Sequence, residues 1–148
     1  MIVYNPSDKK GQWIESLVSI VDICPTILDL AGINKTDQMN GESVMSLING
    51  SKTKIHDAVF GENDFNDNYV EIDNHPNKEN YQSIHSKYVR TKDFKYVRFQ
   101  LCKPIIEELW DMKNDPGETN NLVADPVYEE QLNYMRKLLD DFILEHTV

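Results

Sequence analysis

Cysteine is scarce. Cys24 and Cys102 are the only two in 148 residues, too few for a disulfide framework, and neither has a second cysteine or a histidine at metal-ligand spacing. Both read as free thiols packed as small buried hydrophobes. Long apolar runs are missing as well. No stretch approaches the roughly 20 apolar residues that span a bilayer, and the opening MIVYNPSDKK lacks the layout of a signal peptide. No membrane partner is therefore expected. Basic charge is in deficit: 15 Lys and Arg stand against 25 Asp and Glu, a formal charge of -10. That balance repels a phosphate backbone and argues against nucleic acid as a partner. Repeats and low-complexity tracts are absent too. The acidic residues are interleaved with aromatic and aliphatic ones, the pattern of a solvated surface rather than of a disordered tail.

What is present begins with residues 2–4, a short apolar run expected to be a buried strand entered without a turn or cap, as if the chain started in mid-domain. Asp22 then precedes ICPTILDLAG, in which Ile23, Ile27, Leu28, Leu30 and Ala31 share one face at helical period. With Asp22 as N-cap, Pro25 in the first turn and Gly32 at the left-handed C-cap, the pattern predicts a helix over 23–31. A second, shorter helix is expected over 43–48. Residues 57–61, DAVFG, read as a strand. Residues 62–82 are polar, acidic and rich in asparagine without a sustained period, and are expected to form a long surface loop.

The runs SKYVRT and FKYVRF, separated by Lys92 and Asp93, have the composition of a β-hairpin. Strand alternation sets Tyr88 and Arg90 on one face and Lys87, Val89 and Thr91 on the other. Residues 108–112, ELWDM, predict a third strand, followed by a turn in which Pro116 presets φ and Gly117 accepts a positive one. Residues 126–146 place Leu132, Met135, Leu138, Leu139, Phe142 and Ile143 at i, i+3, i+4 spacing, an amphipathic helix capped by Asp125. Helical pieces, then a small antiparallel meander, then a terminal helix: this order is α+β rather than repeating βαβ.

Three segments resemble the sulfatases of the alkaline-phosphatase superfamily. VSIVDICPTILDLAGI, followed by GESVMSLING, is similar to the family's Asp-x-x-Pro-Thr helix and the Gly-x-Ser segment after it. YVRTKDFKYVRF is similar to its hairpin, and ELWDMKNDPGETNNL to its Glu-Leu-Tyr-Asp-Leu-x-x-Asp-Pro-x-Glu-x-x-Asn-Leu run. The resemblance implies the end of a sulfatase α/β domain over residues 1–55 and a C-terminal subdomain over 56–148, with an antiparallel sheet and an amphipathic C-terminal helix. It also implies, for the full-length enzyme, a formylglycine nucleophile made from Cys/Ser-x-Pro-x-Arg and a calcium ion that neutralises the sulfate oxygens. Cys24, in Cys-Pro-Thr-Ile-Leu, and Cys102, in Leu-Cys-Lys-Pro-Ile, do not match that signature, and no Asp-Asp pair resembling the calcium site stands near the start. Neither cofactor is expected in this chain, and no catalytic or metal residue is assigned.

The resemblance leaves Glu62, Asn63 and Asp64, with His75 and His85, as candidates for the rim of a substrate cleft; their plainer reading is solvated surface. His56 and His146 rank lower. Lys87, Arg90, Lys92, Lys95 and Arg98 make the hairpin locally basic, with attraction of an anionic substrate set against ordinary cross-strand pairing. The implied partners are an N-terminal sulfatase domain and a sulfated small molecule or glycan, with self-association of the chain where that domain is missing. The expected role is to complete the fold and wall the cleft, without activity alone. Two alternatives stand beside it: the tail of a phosphate or phosphonate ester hydrolase of the same superfamily, and a self-sufficient carbohydrate-binding or interaction module. Compartment is left open.

Overall fold

Short apolar segments punctuated by glycine leave room only for short helices in the first third of the chain. The computed structural model, which describes residues 1–4, 11–65, 84–100 and 104–146, shows that arrangement. A 3-10 turn, Ile20–Asp22, runs directly into α1, Ile23–Leu30, and α2 is one turn, Met45–Ile48. Gly32, at φ 71°, ends α1 in the left-handed conformation its position requires. By internal packing the chain divides into Met1–Val59 and Phe60–Val148.

The first unit departs from the sequence expectation in three places. Residues 2–4 form no strand, since no described residue offers them a ladder, and Ile2 is 97 % exposed. Cys24 is a free thiol but exposed, on the outer side of α1, rather than a core hydrophobe; Cys102 lies outside the described residues. The helix itself buries Pro25 and Thr26 instead of its aliphatic stripe. Ile20 is 81 %, Ile27 59 % and Leu30 57 % exposed. Among the described residues of this unit the buried apolar side chains are Pro25, Val44 and Leu47.

The second unit holds the larger core. Four strands, β1 (Ala58–Phe65), β2 (Ile84–Thr91), β3 (Phe94–Phe99) and β4 (Ile106–Asp111), lie side by side in chain order. The fold class is therefore α+β. The β2–β3 and β3–β4 pairs are antiparallel, and their registers place Val89, Tyr96 and Leu109 in one row. All three are fully buried, beneath α3, Glu129–His146, which contributes Leu132, Met135 and Leu139. Asp125 accepts from the Val127 amide and caps the 3-10 turn Pro126–Tyr128 that leads into α3, as its side-chain chemistry suggests. Phe60 stacks on Phe142 at 4.1 Å, closing one end of this layer.

The hairpin turn is held by Thr91, whose hydroxyl accepts from the Phe94 amide and donates to the Phe94 carbonyl, both at 3.2 Å. Beyond β4 the positive φ falls on Glu118 (54°), not on Gly117. Asp115 forces this conformation by accepting from the Thr119 and Asn120 amides, each at 2.8 Å, which curls the chain one residue later than a simple turn would. Asn121 then accepts from the Leu109 amide at 3.0 Å, and Leu122 donates to the Leu109 carbonyl, so the return path is sewn to β4.

Tyr96 shows how the covered face handles polarity. Its ring is fully buried, and its hydroxyl donates to Glu107, whose carboxylate also receives the Arg136 guanidinium from α3. Burial, reinforced by Glu107, pushes the Tyr96 phenol far up. Tyr96→Phe is expected to cost about 1 kcal/mol, because Glu107 keeps both Arg136 bonds and only one neutral donor is lost; a urea midpoint unchanged from the parent would contradict this.

Candidate functional site

The register that buries Val89, Tyr96 and Leu109 turns the alternate residues outward on the uncovered face. These form three rows: Ser86 and Phe99 with Ile106, Tyr88 and Val97 with Glu108, and Arg90 and Lys95 with Trp110. A depression of about 600 Å³ lies on this face, with Tyr88, Val97 and Phe99 as its floor and Asn63, Ser86 and Arg90 among its polar lining. Gly61 fixes the floor. A side chain there would be driven into the Tyr88 ring, so the absence of a Cβ on β1 lets that ring lie against the backbone of the neighbouring strand.

The cleft-rim candidates are placed differently from the loop expected for them. β1 continues to Phe65, so Glu62, Asn63 and Asp64 belong to a strand, and their side chains part. Glu62 pairs with Lys87 at 2.8 Å and Asp64 with His85 at 2.7 Å, while Asn63 lines the depression. β1 is hydrogen-bonded to β2, its neighbour in the sheet, and DAVFG alone carries no signal for that extension. His75 lies outside the described residues, as does most of the segment expected to be a loop.

Of the five basic hairpin residues, Lys87, Lys95 and Arg98 are held in ion pairs with Glu62, Glu118 and Asp140. Pairing to a neighbouring strand, to α3 and to the turn after β4 thus accounts for most of the local positive charge. Among the described residues Arg90 has no ion-pair partner. Glu107 and Glu108 point to opposite faces, the first to Arg136 and the second to the open depression. They are no acid–base pair. Arg136 holds the Glu107 carboxyl below the usual range, and Tyr96 adds to the effect.

A second polar centre lies in the first unit. Asp22 is fully buried, and its carboxylate accepts from the Ser19 amide at 2.7 Å, the Glu42 amide at 2.8 Å and His56 Nε2 at 2.9 Å from both oxygens. Burial alone would push this carboxyl up; the two amides and His56 together hold it below the ordinary range. Asp22 therefore does not cap α1 with its side chain, as its position suggested, but reaches back to Ser19 and across to two distant segments. Thr26 completes the centre by donating to the Asp22 carbonyl at 2.6 Å and accepting from the Val44 amide at 3.0 Å. No spacing in the sequence links residues 22 and 56, so His56 gave no sign of this role.

Neither centre presents a nucleophile beside a base. The one described thiol, Cys24, sits on an exposed helix face, and the described residues contain no group of three or more His, Cys, Asp or Glu arranged to hold a metal. These residues do not fit a calcium site or a formylglycine precursor. The open face offers an aromatic floor, hydrogen-bonding groups and one guanidinium.

The family model for N-sulphoglucosamine sulphohydrolase, C-terminal, matches residues 1–145. The chain is 36 % identical over 123 residues to a Delta 4,5-hexuronate-2-O-sulfatase of Bacteroides thetaiotaomicron, covering 83 % of this chain and 23 % of that protein. It is 30 % identical over 141 residues to an arylsulfatase of Clostridium perfringens, covering 93 % and 26 %. Among solved structures, a 2-O GAG sulfatase superposes with a TM-score of 0.67 at 35 % identity, over 84 % of this chain and 24 % of the other. The chain spans about a quarter of the length of these relatives. It belongs to the sulfatase family, whose C-terminal region it represents.

Proposed function

We propose that the chain completes a sulfuric ester hydrolase acting on sulfated saccharides, with the first unit docking on an N-terminal catalytic domain and the sheet walling the substrate cleft. The observation that carries this reading is the aliphatic stripe of Ile23, Ile27 and Leu30, with Ile20 in the turn before them, exposed on a helix whose other side is already packed. A helix that turns its apolar residues outward is shaped to be covered. Calcium and formylglycine belong, on this reading, to the N-terminal domain. They would supply charge neutralisation at the sulfate and the nucleophile, and without that domain the chain turns over no ester and self-associates through the stripe.

The test is a chimera in which this chain replaces the C-terminal region of the B. thetaiotaomicron hexuronate 2-O-sulfatase, assayed for sulfate release from a 2-O-sulfated Δ4,5-hexuronate disaccharide. A soluble, active chimera is expected, and Ile27→Asp with Leu30→Asp should abolish its assembly by placing two carboxylates in an apolar contact. Turnover by the 148-residue chain alone, or a double-aspartate chimera as active as its parent, would overturn the proposal.

A further inference from the structure

We infer that the open face of the sheet is a subsite for an anionic sugar residue, with Tyr88 as the platform for the ring, Arg90 as the partner of its sulfate or carboxylate, and Asn63 and Ser86 as hydrogen-bonding partners of its hydroxyls. This rests on the reading of the chain as part of a sulfatase of saccharides.

The depression joins three properties that a charged sugar requires of its host. Its floor is apolar, from Tyr88, Val97 and Phe99, and suits the C–H face of a pyranose ring. The Tyr88 ring is seated over Gly61, so little side-chain freedom remains to be lost on binding. Its polar lining includes an amide, a hydroxyl and carboxylates, which both donate to and accept from sugar hydroxyls.

Charge selects the ligand further. Lys95 is neutralised by Glu118 at 2.7 Å, which leaves Arg90 as the lining cation without an ion pair among the described residues. A guanidinium presents paired N–H donors that match two oxygens of a sulfate or a carboxylate. Glu108 stands in the middle row, across Val97 from Tyr88, and would repel a second anionic group placed there. The subsite therefore takes one anionic substituent per sugar residue, at the Arg90 end.

The 148-residue chain, labelled with 15N, is titrated in separate arms with a 2-O-sulfated Δ4,5-hexuronate disaccharide, its desulfated counterpart, and inorganic sulfate. Shifts should gather at Asn63, Ser86, Tyr88 and Arg90, with sulfated and desulfated sugar separating sulfate from carboxylate recognition and inorganic sulfate binding weakly. Arg90→Gln should weaken binding about tenfold, the loss of one charge-assisted contact, and Lys92→Gln, in the hairpin turn, should leave it unchanged. The same two substitutions in the chimera, read as KM for the disaccharide, give a second measurement. No localised shifts, equal weakening by both substitutions, or a KM indifferent to Arg90 would overturn the subsite. An active chimera without binding on this face sinks the subsite alone; a folded, inactive chimera with binding retained sinks the sulfatase role alone.

Discussion

Replacing Asp22 by alanine is expected to destabilise the first unit by about 3 to 4 kcal/mol, the largest effect of any single substitution there. The carboxylate is fully buried and gathers the Ser19 and Glu42 amides and His56. Alanine strands all of these donors at once, in a unit whose described residues include few buried apolar side chains to compensate. Asn in place of Asp should recover little, since its amide group brings N–H donors to face donors. Denaturant melts, together with amide exchange at Ser19 and Glu42, would show the loss; unchanged protection at both amides would rule the argument out.

The same group gives an acid dependence. Its folded carboxyl titrates lower than an unfolded aspartate, near pH 3.9. The stability it contributes is full above that value and is lost as pH falls through the lower folded value, where the native state must take up a proton that the unfolded chain has already bound. Asp22→Asn should flatten that part of the stability curve between neutral pH and acid, and a curve identical to the parent's would contradict the assignment.

Glu107→Ala is expected to cost about 2 to 3 kcal/mol in the second unit. Glu107 takes two bonds from Arg136, at 2.5 and 2.8 Å, and one from Tyr96, so truncation leaves a guanidinium and a buried phenol without their acceptor. The figure lies below that for a fully buried ion pair because both partners keep some solvent, which already screens the charge. Tyr96→Phe and Glu107→Ala share a partner and should be less than additive. Additive losses in the double variant would mean that the three side chains act independently.

Periodicity made the sheet and the terminal helix legible in advance. The 3.6-residue pattern of Leu132, Met135 and Leu139 and the two-residue alternation around Val89 each report one buried face, and both faces are buried in the structure. The α1 pattern was equally clear but pointed outward, because hydrophobic period tells which residues share a face and not what covers it. Ends of elements were less legible. β1 runs four residues past DAVFG through Glu62, Asn63, Asp64 and Phe65 on the strength of backbone pairing, which polar residues accept as readily as apolar ones. The turn after β4 was misplaced by one residue because Asp115, rather than Gly117, governs it.

Candidate sites were the least legible, for a geometric reason. The rim residues were chosen as neighbours in sequence, and a strand sends such neighbours to opposite sides. The residues that do meet, Asn63 with Tyr88 and Arg90, or Asp22 with His56, come from segments whose spacing carries no motif.

The distance between Asp22 and His56 also bears on synthesis. As the chain leaves the ribosome, α1 emerges well before its buried carboxylate can be matched, since His56 follows 34 residues later. Closing a loop of that length costs only slightly more entropy than closing one half as long, so the delay is one of order rather than of energy. Until His56 emerges, a nascent first unit holds a charge it can shelter only in part.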